Sequence, residues 1–160
     1  MQVTAYVALG TNLGDLKENL DCALQRLREK GLQITKVSTY IDTDPYGVTD
    51  QPCFLNAVCE VQTELLPRQL LEMLLQTELE MGRVRLRRWG ERIIDLDLLF
   101  YGSEIINEPD LTVPHPDMQN RDFVLRPLAE IAPDKVHPLL HKTIGQLWQE
   151  YLEKKDTNEV

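Results

Sequence analysis

Several features that would place this chain in a specialised class are missing from its sequence. No apolar run approaches the ~20 residues that a membrane-spanning helix needs. The apolar start, MQVTAYVALG, has no basic residues ahead of it, so it does not predict a signal peptide. Internal repeats and low-complexity tracts are also missing. We therefore expect a cytoplasmic protein that does not associate with membranes.

Cysteine is scarce, and its three copies lack the spacing of a metal or redox motif. Cys22, Cys53 and Cys59 form no CxxC pair, and their number is odd. We interpret them as free thiols in a reducing compartment. Cys59 alternates with apolar residues in the segment 55–61, which indicates a core position; a catalytic cysteine is the alternative.

Basic residues are also few, because 17 lysines and arginines stand against 26 acidic residues and give a net charge of -9. This balance argues against binding to nucleic acid or to an anionic membrane. Half of the arginines nevertheless stand in one short segment, GRVRLRRWGER. Such a segment on an acidic protein indicates a small anionic ligand, because guanidinium forks match phosphate oxygens. A solvated loop that pairs with the acidic surface is the alternative.

Length and composition fit one globular domain. The chain has 160 residues, of which 42% are hydrophobic and 27% charged, values close to globular averages. We expect this single domain to cover residues 1–160, with a frayed polar tail from about residue 154.

The order of the predicted elements indicates the fold class. The apolar patterns predict a strand in VTAYVALG, a helix after GTNLGD, strands in LQITKVSTYI and FLNAVCEV, a helix over residues 67–81, a strand in RIIDLDLLFYG, and helices over residues 123–131 and 144–152. This order predicts an α+β fold of the ferredoxin-like βαββαβ type. Its antiparallel sheet would carry packed helices and additional C-terminal helices.

Two carboxylates in the last predicted strand form a candidate metal site. Asp95 and Asp97 share one face of that strand, while Leu96, Leu98 and Phe100 are predicted to point into the core. Paired carboxylates repel each other unless a cation intervenes, and their oxygens suit Mg²⁺. A polar strand face that pairs with the nearby arginines is the alternative. Together with the clustered arginines, however, the pair favours phosphoryl transfer.

Other side chains fit a flat substrate that carries phosphates. Asn56 can read the donor and acceptor edge of a ring, and Phe54 and Phe123 can stack on it. His115 stands between two prolines and can donate to a phosphoryl oxygen or assist proton transfer. Each residue also has an ordinary structural explanation, such as core packing or a loop hydrogen bond. The missing GxxxxGK[ST] motif excludes a P-loop enzyme.

The sequence resembles a known family, the 6-hydroxymethyl-7,8-dihydropterin pyrophosphokinases of folate biosynthesis. Four segments carry the resemblance: ALGTNLGD, QPCFLNAV, GRVRLRRWGERIIDLDLLFYG and LTVPHPDMQNRDFVLRPLAEIAP. The resemblance implies a ferredoxin-like monomer that transfers the terminal diphosphate of ATP to the hydroxymethyl group of the reduced pterin and releases AMP. It also implies two Mg²⁺ ions. Members of this family also occur in larger folate-pathway fusions, and we expect no second such domain within these 160 residues.

The resemblance also implies a role for each candidate residue, with Asp95 and Asp97 as ligands of the two Mg²⁺ ions. The implied catalytic residues are Arg83, Arg92, Asp95, Asp97 and His115. The implied nucleotide contacts are Glu78, Arg85, Arg88, Trp89, Arg92, His115 and Arg121. The implied pterin contacts are Thr43, Pro45, Tyr46, Phe54, Asn56 and Phe123.

The sequence departs from the family pattern at two places. Pro116 stands where some members carry a tyrosine whose hydroxyl can reach a phosphate, and proline has no donor to offer there. The arginine segment is one residue shorter than in some members. Which of Arg85, Arg87 and Arg88 contacts which phosphate therefore remains open.

Two other functions fit part of the pattern. A nucleotidyltransferase on a similar sheet would use the carboxylates and the arginines, but it leaves Asn56 and the two phenylalanines unexplained. A regulatory ligand-binding domain is possible because the ferredoxin-like fold hosts many functions. It leaves the carboxylates and arginines without a purpose.

Overall fold

The computed structural model describes residues 2–43, 53–82 and 93–158. The strands in these ranges are β1 (Val3–Thr11), β2 (Gln33–Val37), β3 (Ile41–Thr43), β4 (Phe54–Thr63), β5 (Asp95–Tyr101), β6 (Ile106–Glu108) and β7 (Leu111–Val113). The helices are α1 (Leu16–Glu29), α2 (Pro67–Glu80), α3 (Asp122–Ile131) and α4 (Ile144–Asn158), with a 3-10 turn at Met118–Asn120.

The main sheet has the strand order β2-β4-β1-β5, and β3 pairs with β4. Each pairing in it is antiparallel. Strand β1 therefore lies between β4 and β5, which are the third and fourth strands of the predicted βαββαβ order, as the ferredoxin-like fold requires. This prediction of the fold class is confirmed. Strands β6 and β7 form a separate two-stranded sheet.

The second predicted strand, over residues 32–41, is divided in the structure into β2 and β3. At the break, the Ser38 hydroxyl accepts a hydrogen bond from the Val58 backbone N–H at 2.9 Å. The next residue, Thr39, donates its backbone N–H and its hydroxyl to the Glu130 carboxylate of α3. The Ser38 N–H still donates to the Val58 carbonyl, but side chains replace the other ladder hydrogen bonds here, because serine and threonine compete with backbone partners.

Helices cover both faces of the sheet and create two cores. Helices α1 and α2 pack on one face, where Leu20, Ala23, Leu24 and Leu27 of α1 are buried. Helices α3 and α4 pack on the other face, with Ile144 and Leu147 buried there and Trp148 and Tyr151 half-buried. We call these the α1/α2 face and the α3/α4 face.

One prediction about β5 is wrong. Leu96 and Leu98 pack into the α1/α2 core, but Phe100 packs into the α3/α4 core. The cause is a shift in the register between β1 and β5, where Tyr6 pairs with Phe100 but Val7 pairs with Leu98. A bulge of this kind inserts one residue and reverses the alternation beyond it. Asp95 and Asp97 precede the shift, so they keep the common face that was predicted.

Cys59 is a core residue, as its alternation predicted. It is fully buried in β4, and burial raises the pKa of its thiol to about 12. The side chain therefore remains an uncharged thiol at neutral pH, which does not favour the alternative of a catalytic nucleophile.

The last helix is longer than predicted. It continues from Ile144 to Asn158, past the predicted end at residue 152 and into the segment expected to fray. Glu153, Lys154 and Lys155 are exposed there, and glutamate and lysine favour helix without tertiary contacts. Within the described ranges, no helix combines the length and the apolar character that a membrane span requires.

His137 is a buried structural histidine, with 3% of its surface exposed. Its Nδ1 accepts the backbone N–H groups of Leu139 and Leu140 at 3.2 and 3.1 Å, and its ring lies edge-on to Phe100. Burial lowers the pKa of this imidazole, and the nearby positive charges of His141 and Lys135 lower it further. The folded state therefore prefers the neutral ring.

We predict an acid-sensitive contribution of His137 to stability. A lowered pKa in the folded state gives stability that is present above the unfolded value of about 6.5 and is lost as the pH falls through the folded value. His137→Asn keeps an acceptor near the Nδ1 position but does not titrate. Urea unfolding should therefore show a smaller loss of unfolding free energy between pH 7 and pH 5 in this variant than in the unmodified protein. Since burial, and not the charge of His141, is the main cause of the lowered His137 pKa, His141→Asn should keep most of this loss. An equal loss in His137→Asn and in the unmodified protein would contradict this role.

Candidate active site

The sheet places Asn56, which is predicted to hydrogen-bond the pterin, on the same face as the carboxylates of Asp95 and Asp97. Gly10 of β1 pairs with Asn56 of β4 on one side and with Asp95 of β5 on the other. In the next row, Ala8 pairs with Val58 and with Asp97. Because neighbouring strands are about 5 Å apart, the backbones at Asn56 and Asp95 are roughly 10 Å apart. Since Val58 packs in the α3/α4 core, these polar side chains lie on the α3/α4 face.

Gly10 lets the Asn56 side chain lie close to the backbone of β1. A Cβ at this position would lie 3.0 Å from the Asn56 Oδ1 and 3.8 Å from the Phe54 Cδ1. Any larger residue would therefore displace the Asn56 side chain. Sequence reasoning missed Gly10, although a glycine inside a strand is a known sign that another group approaches the backbone closely.

His115 is held beside the carboxylate pair by the backbone of β5. The backbone N–H of His115 donates to the Leu99 carbonyl at 3.0 Å. The Nδ1 of its imidazole accepts the backbone N–H of Asp117 at 3.4 Å. Burial lowers the pKa of the imidazole; the Asp97 carboxylate opposes this shift, and the Arg121 guanidinium adds to it. With Nδ1 as acceptor, the neutral ring carries its proton on Nε2. The histidine thus has a donor to offer.

Arg121 and Phe123 stand at the start of α3, above the same face. Arg121 donates from Nε to the Asp117 carboxylate at 3.3 Å, and its guanidinium lies 5.8 Å from the centre of the Phe123 ring. Helix α3 packs against β4, the strand that carries Phe54 and Asn56. Both phenylalanines are half-buried, so each retains exposed ring surface. The two rings predicted for the pterin therefore come from opposite walls, the sheet and the helix.

Glu78 occupies a different place from the other predicted site residues. It is buried in α2, with 4% of its surface exposed, and its Oε2 accepts the Leu96 backbone N–H at 2.8 Å. Helix α2 covers the α1/α2 face, whereas Asp95 and Asp97 lie on the opposite face. Glu78 therefore contacts the strand between the two carboxylates. Its contact with a nucleotide stays a prediction.

Several predicted residues cannot be placed on this site. Thr43 ends β3, and its backbone pairs with Phe54. The predicted residues that lie outside the described ranges are Pro45, Tyr46, Arg83, Arg85, Arg88, Trp89 and Arg92. Their roles, including the catalytic roles of Arg83 and Arg92, stay predictions.

The donor set fits a magnesium site that is completed by substrate. No cluster of three or more histidine, cysteine or acidic residues that could hold a metal ion occurs in the described part of the chain. Asp95 and Asp97 thus offer carboxylate oxygens from two residues only. Mg²⁺ is usually bound in this way, with one or two carboxylates, retained waters and phosphate oxygens of the substrate. A structural zinc ion would need four protein ligands, mostly nitrogen or sulfur.

Comparisons with known proteins identify the family of this chain. Residues 6–133 match the model of the family described as 7,8-dihydro-6-hydroxymethylpterin-pyrophosphokinase. The 2-amino-4-hydroxy-6-hydroxymethyldihydropteridine pyrophosphokinase of Haemophilus influenzae is 50% identical over 137 residues, which cover 85% of this chain and 86% of that protein. The protein of the same name from Bacillus subtilis is 48% identical over 132 residues, covering 82% of this chain and 79% of the relative.

Some relatives are much longer. The folic acid synthesis protein fol1 of Pneumocystis carinii is 42% identical over 148 residues, and the match covers 92% of this chain but only 20% of that protein. The crystal structure of Plasmodium falciparum HPPK-DHPS with pteroate matches with a TM-score of 0.80 at 17% identity, covering 100% of this chain and 44% of that chain. At that identity the structural match supports the fold alone. The family model and the closely related bacterial sequences establish that this chain belongs to the 7,8-dihydro-6-hydroxymethylpterin-pyrophosphokinase family.

Proposed function

We propose that this chain transfers the terminal diphosphate of ATP to the hydroxymethyl group of 6-hydroxymethyl-7,8-dihydropterin, as a step of folate biosynthesis. The products are AMP and the pterin diphosphate. The observation that carries the proposal is the pairing of Gly10 with both Asn56 and Asp95. It places an amide that can hydrogen-bond the pterin ring on the same sheet face as a carboxylate that can serve the phosphates. Family membership supplies the reaction that this arrangement serves.

We assign two Mg²⁺ ions to Asp95 and Asp97. When bound, such ions would supply positive charge to neutralise the charge that develops on the transferred group. The two side chains alternate from the strand in the same direction, so they present their oxygens to one polyphosphate rather than to two separate ligands. Without cations these carboxylates would repel the phosphates, and we therefore expect the activity to depend on Mg²⁺.

The pterin would lie beside Asn56, whose side chain can approach the backbone of β1 because Gly10 has no Cβ. Asn56 presents an acceptor and a donor to the ring edge, and Phe54 and Phe123 stack on its faces. This placement directs the hydroxymethyl oxygen of the pterin toward Asp95. The oxygen attacks the β-phosphorus, the bond between the α–β bridging oxygen and the β-phosphorus breaks, and the hydroxyl proton is released.

His115 and Arg121 supply hydrogen-bond donors near Asp97, where the phosphates of ATP are proposed to bind. The neutral imidazole donates from Nε2, and the guanidinium adds positive charge beside it. Donors held in place before the reaction stabilise developing charge without having to reorganise. Pro116 contributes no donor, so we propose that His115 acts without help from its neighbour. Arg83 and Arg92 are proposed to stabilise the moving diphosphate, and Arg85, Arg88 and Trp89 to contact the nucleotide.

We further propose that the chain acts as one domain, as a monomer in the cytoplasm, with ATP and the reduced pterin as its small-molecule partners. The family match to residues 6–133 and the length of the bacterial relatives support a single catalytic unit. The net charge of -9 supports the expectation that nucleic acid is not a ligand.

An ATP turnover assay tests the proposal. Turnover should require Mg²⁺ and the reduced pterin together, and chelation of the metal by EDTA should abolish it. Turnover of ATP at an equal rate without pterin would contradict the assigned substrate. A product that carries the nucleotide α-phosphate would indicate a nucleotidyltransferase.

A further inference from the structure

The buried carboxylate of Glu78 is the feature from which a further inference follows. Removing a carboxylate from water is costly unless hydrogen bonds compensate for the lost hydration. Glu78 is nevertheless 4% exposed, on a helix whose other buried residues include Leu70 and Leu74. Its Oε2 accepts the Leu96 N–H at 2.8 Å. This acceptor is therefore directed at one peptide of the sheet.

That peptide lies between the two carboxylates of the site. Leu96 separates Asp95 from Asp97, and its own side chain is anchored in the α1/α2 core. Fixing the Leu96 peptide therefore fixes the backbone from which both carboxylates project. The carboxylates themselves lie on the other face of the sheet, so Glu78 acts on them through the strand.

The position of β5 explains why such a support is needed. Within the described residues, β5 ends the strand order and pairs with β1 on one side. An edge strand presents N–H groups that lack a strand partner. At this edge the Glu78 carboxylate accepts the Leu96 N–H, and the Leu99 carbonyl accepts the backbone N–H of His115. The first contact is the nearer of the two to the carboxylate pair.

We propose that Glu78 is a positioning residue that holds β5 so that Asp95 and Asp97 present their oxygens to the metal ions and the polyphosphate. This inference rests on the proposed function. Partners that hold metal ligands in place from outside the coordination sphere commonly change metal affinity or activity by 10–100-fold when they are removed. Glu78 would do so through a backbone amide rather than through a ligand side chain.

The first test needs no substrate and no variant. Hydrogen exchange of the Leu96 amide, followed by NMR in the free protein, should be slow although this amide lies on a sheet edge. Exchange at the rate of an unstructured amide would overturn the proposal. Because this measurement involves no turnover, it is independent of whether the proposed reaction is correct.

The second test compares two substitutions at Glu78. Glu78→Leu removes the acceptor at similar volume, and Glu78→Gln retains an acceptor oxygen. We expect Glu78→Leu to lower kcat by about 10–100-fold and to raise the Mg²⁺ concentration for half-maximal rate, with less than threefold change in the KM for ATP. Glu78→Gln should lie between this variant and the unmodified enzyme. Exposed Glu72 on the same helix provides the control, since Glu72→Leu should change none of these quantities.

Other outcomes are also decisive. A large rise in the KM for ATP at unchanged kcat would mean that Glu78 contacts the nucleotide directly, and the positioning role would be wrong. Equal kcat values in Glu78→Leu and Glu78→Gln would also contradict the proposal. If Glu78→Leu does not fold, the comparison is made with Glu78→Gln, which should speed exchange at Leu96 more than at amides in the middle of β1.

Discussion

Replacing Asp97 with alanine is expected to lower kcat by about three orders of magnitude. Metal-assisted charge stabilisation contributes several kcal/mol to a phosphoryl-transfer transition state, and about 4 kcal/mol corresponds to a thousandfold change in rate. Asp97 is exposed on the α3/α4 face and belongs to neither core. The substitution should therefore remove charge stabilisation and leave the fold intact.

The experiment measures steady-state turnover and urea unfolding of the same preparation. The unfolding free energy should change by about 0.5 kcal/mol or less, as is usual for surface substitutions. Asp134→Ala, at an exposed position after α3, is the matched control and should keep normal turnover. Near-normal turnover of Asp97→Ala at ordinary Mg²⁺ concentrations would show that the carboxylate pair does not hold the catalytic metal.

Replacing Asn56 with leucine is expected to lower kcat/KM for the pterin by about two to three orders of magnitude. Sites that are built to hydrogen-bond a substrate lose this much when the polar groups are left unpaired. Asn56 is 6% exposed, and its Oδ1 would lie 3.0 Å from a Cβ at Gly10, beside the place where the ring is proposed to bind. Leucine keeps a similar volume but offers neither a donor nor an acceptor.

The loss should appear in the pterin parameters and not in ATP binding. Calorimetric titration with the pterin and with a non-hydrolysable ATP analogue separates the two. Asn107→Leu, on the exposed strand β6, serves as the control for a new surface leucine. Unchanged pterin affinity in a folded Asn56→Leu protein would indicate that the amide only supports the local structure.

The fold class was predictable because it depends on local periodicity. The buried face of α1 and the alternation of β4 follow from residue spacing, and the order of elements limits the topology to few possibilities. The bulge that turns Phe100 to the other core was not predictable, since it depends on how β5 aligns with β1. The break at Ser38 likewise depends on a partner in β4 that is distant in sequence.

The candidate site shows the same division between local and long-range information. The common face of Asp95 and Asp97 follows from the two-residue repeat of a strand and needs no knowledge of neighbours. The alignment of Gly10 with Asn56 and Asp95 requires the register of three strands, which the sequence does not reveal. The hydrogen bond from Leu96 to Glu78 depends on where α2 packs, so the resemblance indicated a functional residue but not this contact.

The proposed reaction is tested by its phosphorus-containing products. A mixture of the protein, ATP, Mg²⁺ and 6-hydroxymethyl-7,8-dihydropterin is followed to completion by phosphorus NMR. We predict AMP and a diphosphate ester of the pterin in equal amounts, because the bond between the α–β bridging oxygen and the β-phosphorus of ATP is the one that breaks. ADP together with a pterin monophosphate would contradict the assignment and make the protein an ordinary kinase.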